Sequence, residues 1–243
     1  MRITNKSHSG HISQQFNEEL SGLKNHLLVM GGLVEKQVAD AVQALCEGDT
    51  ALAEEVRQND NDVDRLELII DEECTRVLAR RQPTASDLRL VVGVARMVAD
   101  VERMGDEAEK IAKAAISLSE EGKAPRGYVE VRHIGNHVGR MVHDALDCFA
   151  RLDADAALKV MKEDSAVDME YKTAMRSLVT FMMEDPRSIS QILNVMWVLR
   201  ALERIGDHAR NVAEHVIFMA KGEDVRHRSL EKAAEVVEPK RKS

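Results

Sequence analysis

The chain has 243 residues, 44% of them hydrophobic, 31% charged and only 3% aromatic, with 4 Pro, 13 Gly and a formal net charge of −8. That balance favours an all-α protein, and the length allows a substantial core in one or two domains. The negative charge argues against a nucleic-acid partner and against free phosphate as a main ligand, because phosphate oxygens are repelled.

No stretch approaches the roughly 18 apolar residues needed to span a bilayer; the best, Leu88 to Ala99, is cut by Arg89 and Arg96. Met1 to Gly10 is polar and does not read as a secretory leader. Cys46, Cys74 and Cys148 are scattered and odd in number, which predicts free thiols in a reducing cytoplasm.

Taken in order, residues 1–11 read as a disordered N-terminus. Ser13 can cap a first helix whose apolar positions, among them Phe16, Leu20, Leu23, Leu27, Met30, Val34 and Val38, keep a helical period to Gly48-Asp49. A second helix is predicted from Thr50 to Arg81 and is broken by Gln82-Pro83-Thr84. A third opens at Ser86 or Asp87 and runs to about Ser119. Glu121 to Gly127 is the one convincing linker. The pattern then restarts, with helices over about 129–151, 155–184 and 188–221 and Asp185-Pro186 between the last two. The tail from Asp224 is charged and predicted to fray.

The second half repeats the first. Gly31, Val34, Val38, Asp40 and Ala41 match Gly135, Val138, Val142, Asp144 and Ala145 at a shift of 104. Glu102, Gly105 and Asp106 match Glu203, Gly206 and Asp207 at a shift of 101. The expected architecture is therefore all-α: two tandem three-helix bundles, 12–121 and 128–222, followed by a charged tail at 223–243.

The acidic residues carry the chemistry. An acid followed four positions later by aspartate occurs at Asp60/Asp64, Glu67/Asp71, Glu102/Asp106, Asp164/Asp168 and Glu203/Asp207, and all but Glu67/Asp71 are repeated. Residues four apart share a helix face, where like charges disfavour the helix unless a cation offsets them. Folding each hairpin at its proline brings Asp60 level with Asp106 and Asp64 with Glu102. It likewise brings Asp164 level with Asp207 and Asp168 with Glu203.

Two sets of four carboxylates result, placed at the rim of each core and open to solvent or a partner. Oxygen-only donors suit a divalent or trivalent metal such as Mg²⁺, Mn²⁺, Ca²⁺ or iron. A Cys/His zinc site is not indicated, although zinc on carboxylates stays open. Asn211 offers a third acceptor beside Glu203 and Asp207; Lys110 stands in its place in the first half, where Glu109 is the nearest substitute. The competing reading is a solvated ion-pair face neutralised by Arg103, Lys110, Arg200, Arg204 and Arg210.

Weaker signals are Glu130-x-x-His133, half of a di-iron signature without its partner, and His137, His143, His208 and His215, which read as ordinary polar-face histidines. No Gly-rich phosphate loop and no activated nucleophile is visible, so no catalytic residue is assigned.

His11-Ile-Ser-Gln-Gln-Phe-Asn-Glu-Glu-Leu20, Arg81-Gln-Pro-Thr-Ala-Ser-Asp-Leu-Arg89, the two Glu-Arg-x-Gly-Asp segments and Lys221-Gly-Glu-Asp-Val-Arg-His227 together resemble the PhoU family of bacterial phosphate-transport regulators. The resemblance implies a pair of three-helix bundles, frequent homodimers and multinuclear metal sites on the Glu/Asp-x-x-x-Asp motifs. Those motifs fall on Glu102, Asp106, Glu203 and Asp207, and more loosely on Asp60, Asp64, Asp164 and Asp168. It further implies a cytoplasmic, non-enzymatic adaptor that restrains phosphate-starvation signalling between the transporter ATPase subunit PstB and the sensor kinase PhoR, reaching the membrane only through them. The alternatives carried beside it are a carboxylate-bridged iron protein of ferritin-like oxidoreductase type and a histidine phosphotransfer module.

Overall fold

Each helix starts and stops where local chemistry dictates. Asp49 accepts a hydrogen bond from the Leu52 N–H at 3.0 Å and opens α2 (Thr50–Arg81). Asp153, 104 positions on, accepts from Ala156 at 3.0 Å and opens α5 (Ala154–Glu184). These caps satisfy N–H groups that a helix start would leave orphaned. Ahead of them, α1 (Lys6–Glu47) ends at Gly48 with φ 72°, and α4 (Tyr128–Arg151) ends at Leu152 with φ 52°. Glycine takes the left-handed region without strain, whereas a leucine there costs about 1–2 kcal/mol. Pro83 follows the end of α2, and Pro186 sits in a short 3-10 turn, Pro186–Ser188, before α6 (Ile189–Lys221). The remaining long helix is α3 (Ala85–Glu121).

This computed structural model describes residues 6–122, 124 and 127–238, with side chains from Gln14 onward. Among them there is no strand, and no helix is long and apolar enough to cross a membrane. The all-α pair of three-helix bundles is as the repeat predicts: α1, α2 and α3 pack on one another, as do α4, α5 and α6.

Both ends of the chain depart from expectation. The first helix begins at Lys6, so residues 6–11 are helical and not disordered; the rest of that segment, 1–5, lies outside the described residues. The tail also folds. Ser229 caps an eight-residue helix α7 (Leu230–Val237), which packs on α5 and α6 and buries Ala233 and Val237, with Val225 buried just before it. Apolar residues at four-residue spacing, Leu230, Ala233, Ala234 and Val237, give that short segment a face to bury despite its charge. Residues 239–243, and 123, 125 and 126 of the linker, lie outside the described residues.

Two seams, α3 on α6 and α1 on α4, join the bundles. On the second seam the repeat acquires its physical meaning. A Cβ added to Gly31 would sit 2.4 Å from Leu146 Cδ2, and one added to Gly135 would sit 2.8 Å from Val42 Cγ2. Val42 and Leu146 are themselves equivalent at the shift of 104. Each half therefore sends a side chain onto a glycine of the other, which lets the backbones approach closely.

The crossing predicts a contrast within α1 and α4. Gly135→Ala should destabilise by about 1–3 kcal/mol, since β-branched Val42 has few rotamers in which to yield. Gly32→Ala, where nothing lies within 4 Å of the new methyl, should stabilise by roughly 0.5–1 kcal/mol through helix propensity. Urea denaturation followed by circular dichroism measures both.

Candidate metal centres

The hairpins α2/α3 and α5/α6 bring the acidic pairs level, as the spacing requires. In the first, burial raises the Asp60 carboxyl to about 6, helped by the charges of Asp64, Glu109 and Asp106. Burial again leads in raising Glu102 to about 7, with Asp106, Glu67 and Asp64 adding to it. Glu67 is also raised, by burial and then by Asp71, Asp64 and Asp106. Half-buried like charges resist ionisation together, which is why each pushes up the next. Gly105 makes room for the set: Asp60 Oδ1 lies 3.1 Å from where a Cβ there would stand.

Among the described residues none of Asp60, Asp64, Glu67, Glu102 and Asp106 forms an ion pair, and Asp60 accepts only a long 3.4 Å hydrogen bond from Gln37. Glu109 differs, with Lys113 at 2.5 Å and Arg57 at 3.8 Å. Lys110, expected to neutralise Asp106, pairs instead with buried Glu107 at 3.0 Å. Arg103 exerts only a weak pull on Glu102 and Glu67.

The second set occupies the same backbone positions but is differently compensated. Burial raises Asp207, followed by Asp164 and Asp168, and it raises Glu203, followed by Asp207. Here basic side chains intrude. Arg200 donates to Glu203 at 2.6 Å, Arg210 to buried Asp164 at 2.9 Å, and Lys172 to Asp168 at 3.3 Å. Glu203 Oε2 is buried with no hydrogen-bond partner. The ion-pair face weighed from the sequence thus describes three of these four carboxylates, whereas the first set lacks such partners.

Asn211 also reaches across the bundles. Its amide NH2 donates to Asp100 on α3 at 3.0 Å, a bond that leaves its carbonyl oxygen, the acceptor expected beside Asp207, unused. Asp100 also meets His208 Nδ1 at 2.9 Å and His215 Nε2 at 3.2 Å. Burial works to raise its pKa, but the three partners outweigh burial and hold the carboxyl far below the ordinary carboxylate range. His208 and His215 are 8% and 4% exposed, not polar-face residues. Sequence spacing missed this network because Asp100 belongs to no acidic pair and its partners lie more than 100 residues away. The signal that was available is the placement of His208 and His215 seven apart, two helical turns on one face.

Among the described residues no three His, Cys, Asp or Glu side chains converge as a ready metal-binding group. The carboxylates of each set are near enough to raise one another's pKa values. By donor chemistry the first face fits a hard cation: oxygen ligands, partial burial and no internal counter-ion. The second fits less well, since three of its carboxylates already hold a basic side chain.

A protein-family model described as the PhoU domain matches residues 27–115 and again 131–216. The chain belongs to the PhoU family. It is 60% identical over 239 residues to a phosphate-specific transport system accessory protein PhoU homolog of Pseudomonas aeruginosa, covering 98% of this chain and 99% of the relative. It is 43% identical over 217 residues to phosphate-specific transport system accessory protein PhoU of Escherichia coli, covering 89% and 90%. Among solved structures, the crystal structure of PhoU from Pseudomonas aeruginosa superposes with a TM-score of 0.84 at 62% identity, covering 86% of this chain and all of that one. The PhoU structure from Streptococcus pneumoniae reaches 0.80 at 30% identity, covering 86% and 99%. These PhoU neighbours share the fold built above from the repeat.

The raised carboxyls of the first face carry a pH signature. A carboxyl raised on folding binds its proton more readily in the native state, so its contribution is complete below the unfolded value near 4 and is lost as pH climbs through the folded value. Metal-free protein should therefore lose stability between about pH 4 and pH 7, the window set by Asp60 at about 6 and Glu102 at about 7. Asp60→Asn with Glu102→Gln should flatten that slope in thermal melts recorded across the range.

Proposed function

We propose that this chain is a cytoplasmic, non-enzymatic regulatory adaptor that restrains phosphate-starvation signalling and phosphate uptake. It does so by linking PstB, the ATPase subunit of the phosphate transporter, to the sensor kinase PhoR. The observation that carries this reading is near-full-length identity of 60% to a relative named as an accessory protein of phosphate-specific transport. The long helices of the two seamed bundles offer wide surfaces, which suits a scaffold that shifts a kinase equilibrium by differential binding. A homodimer and membrane association solely through the partners complete the proposal. Deleting the gene should raise phosphate-responsive transcription in phosphate-rich medium; reporter expression that stays at the repressed level would count decisively against the adaptor.

The acidic faces are proposed as metal sites within that scaffold. Glu102, Asp106, Asp60 and Asp64 would hold an ion on the first bundle, with Glu109 beside them, and Glu203, Asp207, Asp164 and Asp168 one on the second. Such an ion supplies positive charge to carboxylates that otherwise repel, and fastens α2 to α3 and α5 to α6. Because the first face lacks basic partners and the second has Arg200, Arg210 and Lys172, the first should bind more tightly. Glu102→Ala with Asp106→Ala should therefore remove more than half of the metal found by elemental analysis of protein purified without chelator. Equal loss from the Glu203→Ala, Asp207→Ala pair would reject that order, and unchanged metal in both would reject the sites.

A further inference from the structure

Over the Asp100 network, between α3 and α6, runs a groove of about 700 Å³ that shares Asp207 with the second acidic face and is otherwise lined by residues neither reading above uses. Arg96, Arg103, Arg204, Arg210 and Arg226 line it, against the three carboxylates Asp100, Asp207 and Glu214. Five guanidinium groups in one groove run against a chain whose net charge is −8. Asp100 keeps its negative charge, but its oxygens are turned to His208, Asn211 and His215, and five guanidinium groups against three carboxylates leave the groove an excess of positive charge.

Several donors in the groove are unspent. Arg96 Nη1 is buried with no hydrogen-bond partner; it forms a loose ion pair with Asp224 at 3.6 Å, while the Phe218 ring supports the guanidinium at 5.4 Å. Arg103, two turns along α3 from Arg96, forms no ion pair among the described residues. His208 and His215 each spend one ring nitrogen on Asp100. The remaining arginines are held in place by acids behind them: Arg204 by Glu107 at 3.2 Å, Arg226 by Asp224 at 2.6 Å, and Arg210 by Asp164 at 2.9 Å. Anchoring of this kind fixes a guanidinium and leaves its outer N–H groups for a ligand.

We propose that the α3/α6 groove binds a small phosphate-bearing anion, with Arg96 and Arg103 as its principal contacts and Arg204 and Arg226 at its margins. Planar guanidinium forks match phosphate oxygens in pairs, which a field of lysines would not do. The volume lies in the range that encloses a nucleotide-sized ligand, and a free phosphate would share it with water. The proposal stands apart from the adaptor and metal readings, since it uses neither a partner protein nor a metal-bound anion.

The test is calorimetric titration of the full chain, stripped of metal with chelator, against inorganic phosphate, pyrophosphate and ATP at low salt. At least one probe should bind in the millimolar range or tighter, and which one does identifies the source of the phosphate group. Arg96→Gln with Arg103→Gln should weaken that binding at least about tenfold through the loss of charge-assisted hydrogen bonds, while Arg176→Gln, outside the groove, leaves it unchanged. Because Arg96 packs on Phe218, Glu214→Gln serves as a second arm: it removes the charge of a buried lining carboxylate that pairs with Arg210 at 3.2 Å, and freeing that guanidinium should tighten binding about threefold. Absence of binding for all three probes, or equal affinity in wild type and both altered forms, overturns the site.

Discussion

Asp100 is the point on which the arrangement of the two bundles turns. A buried carboxylate without partners is a heavy cost, and one that accepts from three side chains of the facing helix becomes a strong and specific fastening. Because His208, Asn211 and His215 all sit on α6, the fastening fixes the height of α6 against α3 and with it the relative placement of everything these helices carry. The acidic faces lie to either side of this seam and the arginine groove lies over it. Were α6 to slide by a turn, the groove would lose the convergence of Arg96 and Arg103 with Arg204.

The repeat does not reproduce that fastening. The positions equivalent to Asp100, His208, Asn211 and His215 are Ala201, Glu107, Lys110 and Ala114, and there the buried Glu107 reaches across the seam to Arg204 instead. The acidic faces diverge in the same way. Glu67 and Asp71 extend the first face, while Tyr171 and Met175 stand at their places in the second. Backbone and hairpin register have been kept and the charge balance has not. Among the described residues one face is left without basic partners, and the other pairs most of its carboxylates with Arg200, Arg210 and Lys172.

Much of this was legible in the chain. Helical periodicity, the caps at Asp49 and Asp153 and the breaks at Pro83 and Pro186 give five of the six long helices to within about two residues and the end of α1, though not its start, because each bound rests on local chemistry. The levelling of Asp60 with Asp106 and of Asp164 with Asp207 also follows, since an antiparallel hairpin admits only one register about its turn. What escaped is whatever depends on contacts between the halves. The engagement of Asn211 by Asp100, the burial of His208 and His215, and the basic groove join residues that no spacing rule links. The fold of the tail is hidden for a related reason: composition marks residues 224–238 as charged, and the short apolar stripe through Ala233 and Val237 gains its worth from α5 and α6 lying within reach.

The exchange at the α1/α4 crossing runs both ways. Val42 seats on Gly135 and Leu146 on Gly31, so each copy presents to the other the knob and the hollow that it receives. Reciprocity of that kind belongs to a two-fold axis between identical molecules. The two halves thus meet as twins about a two-fold axis would, although one chain carries both, and Asp100, whose equivalent is Ala201, breaks that likeness on one side alone.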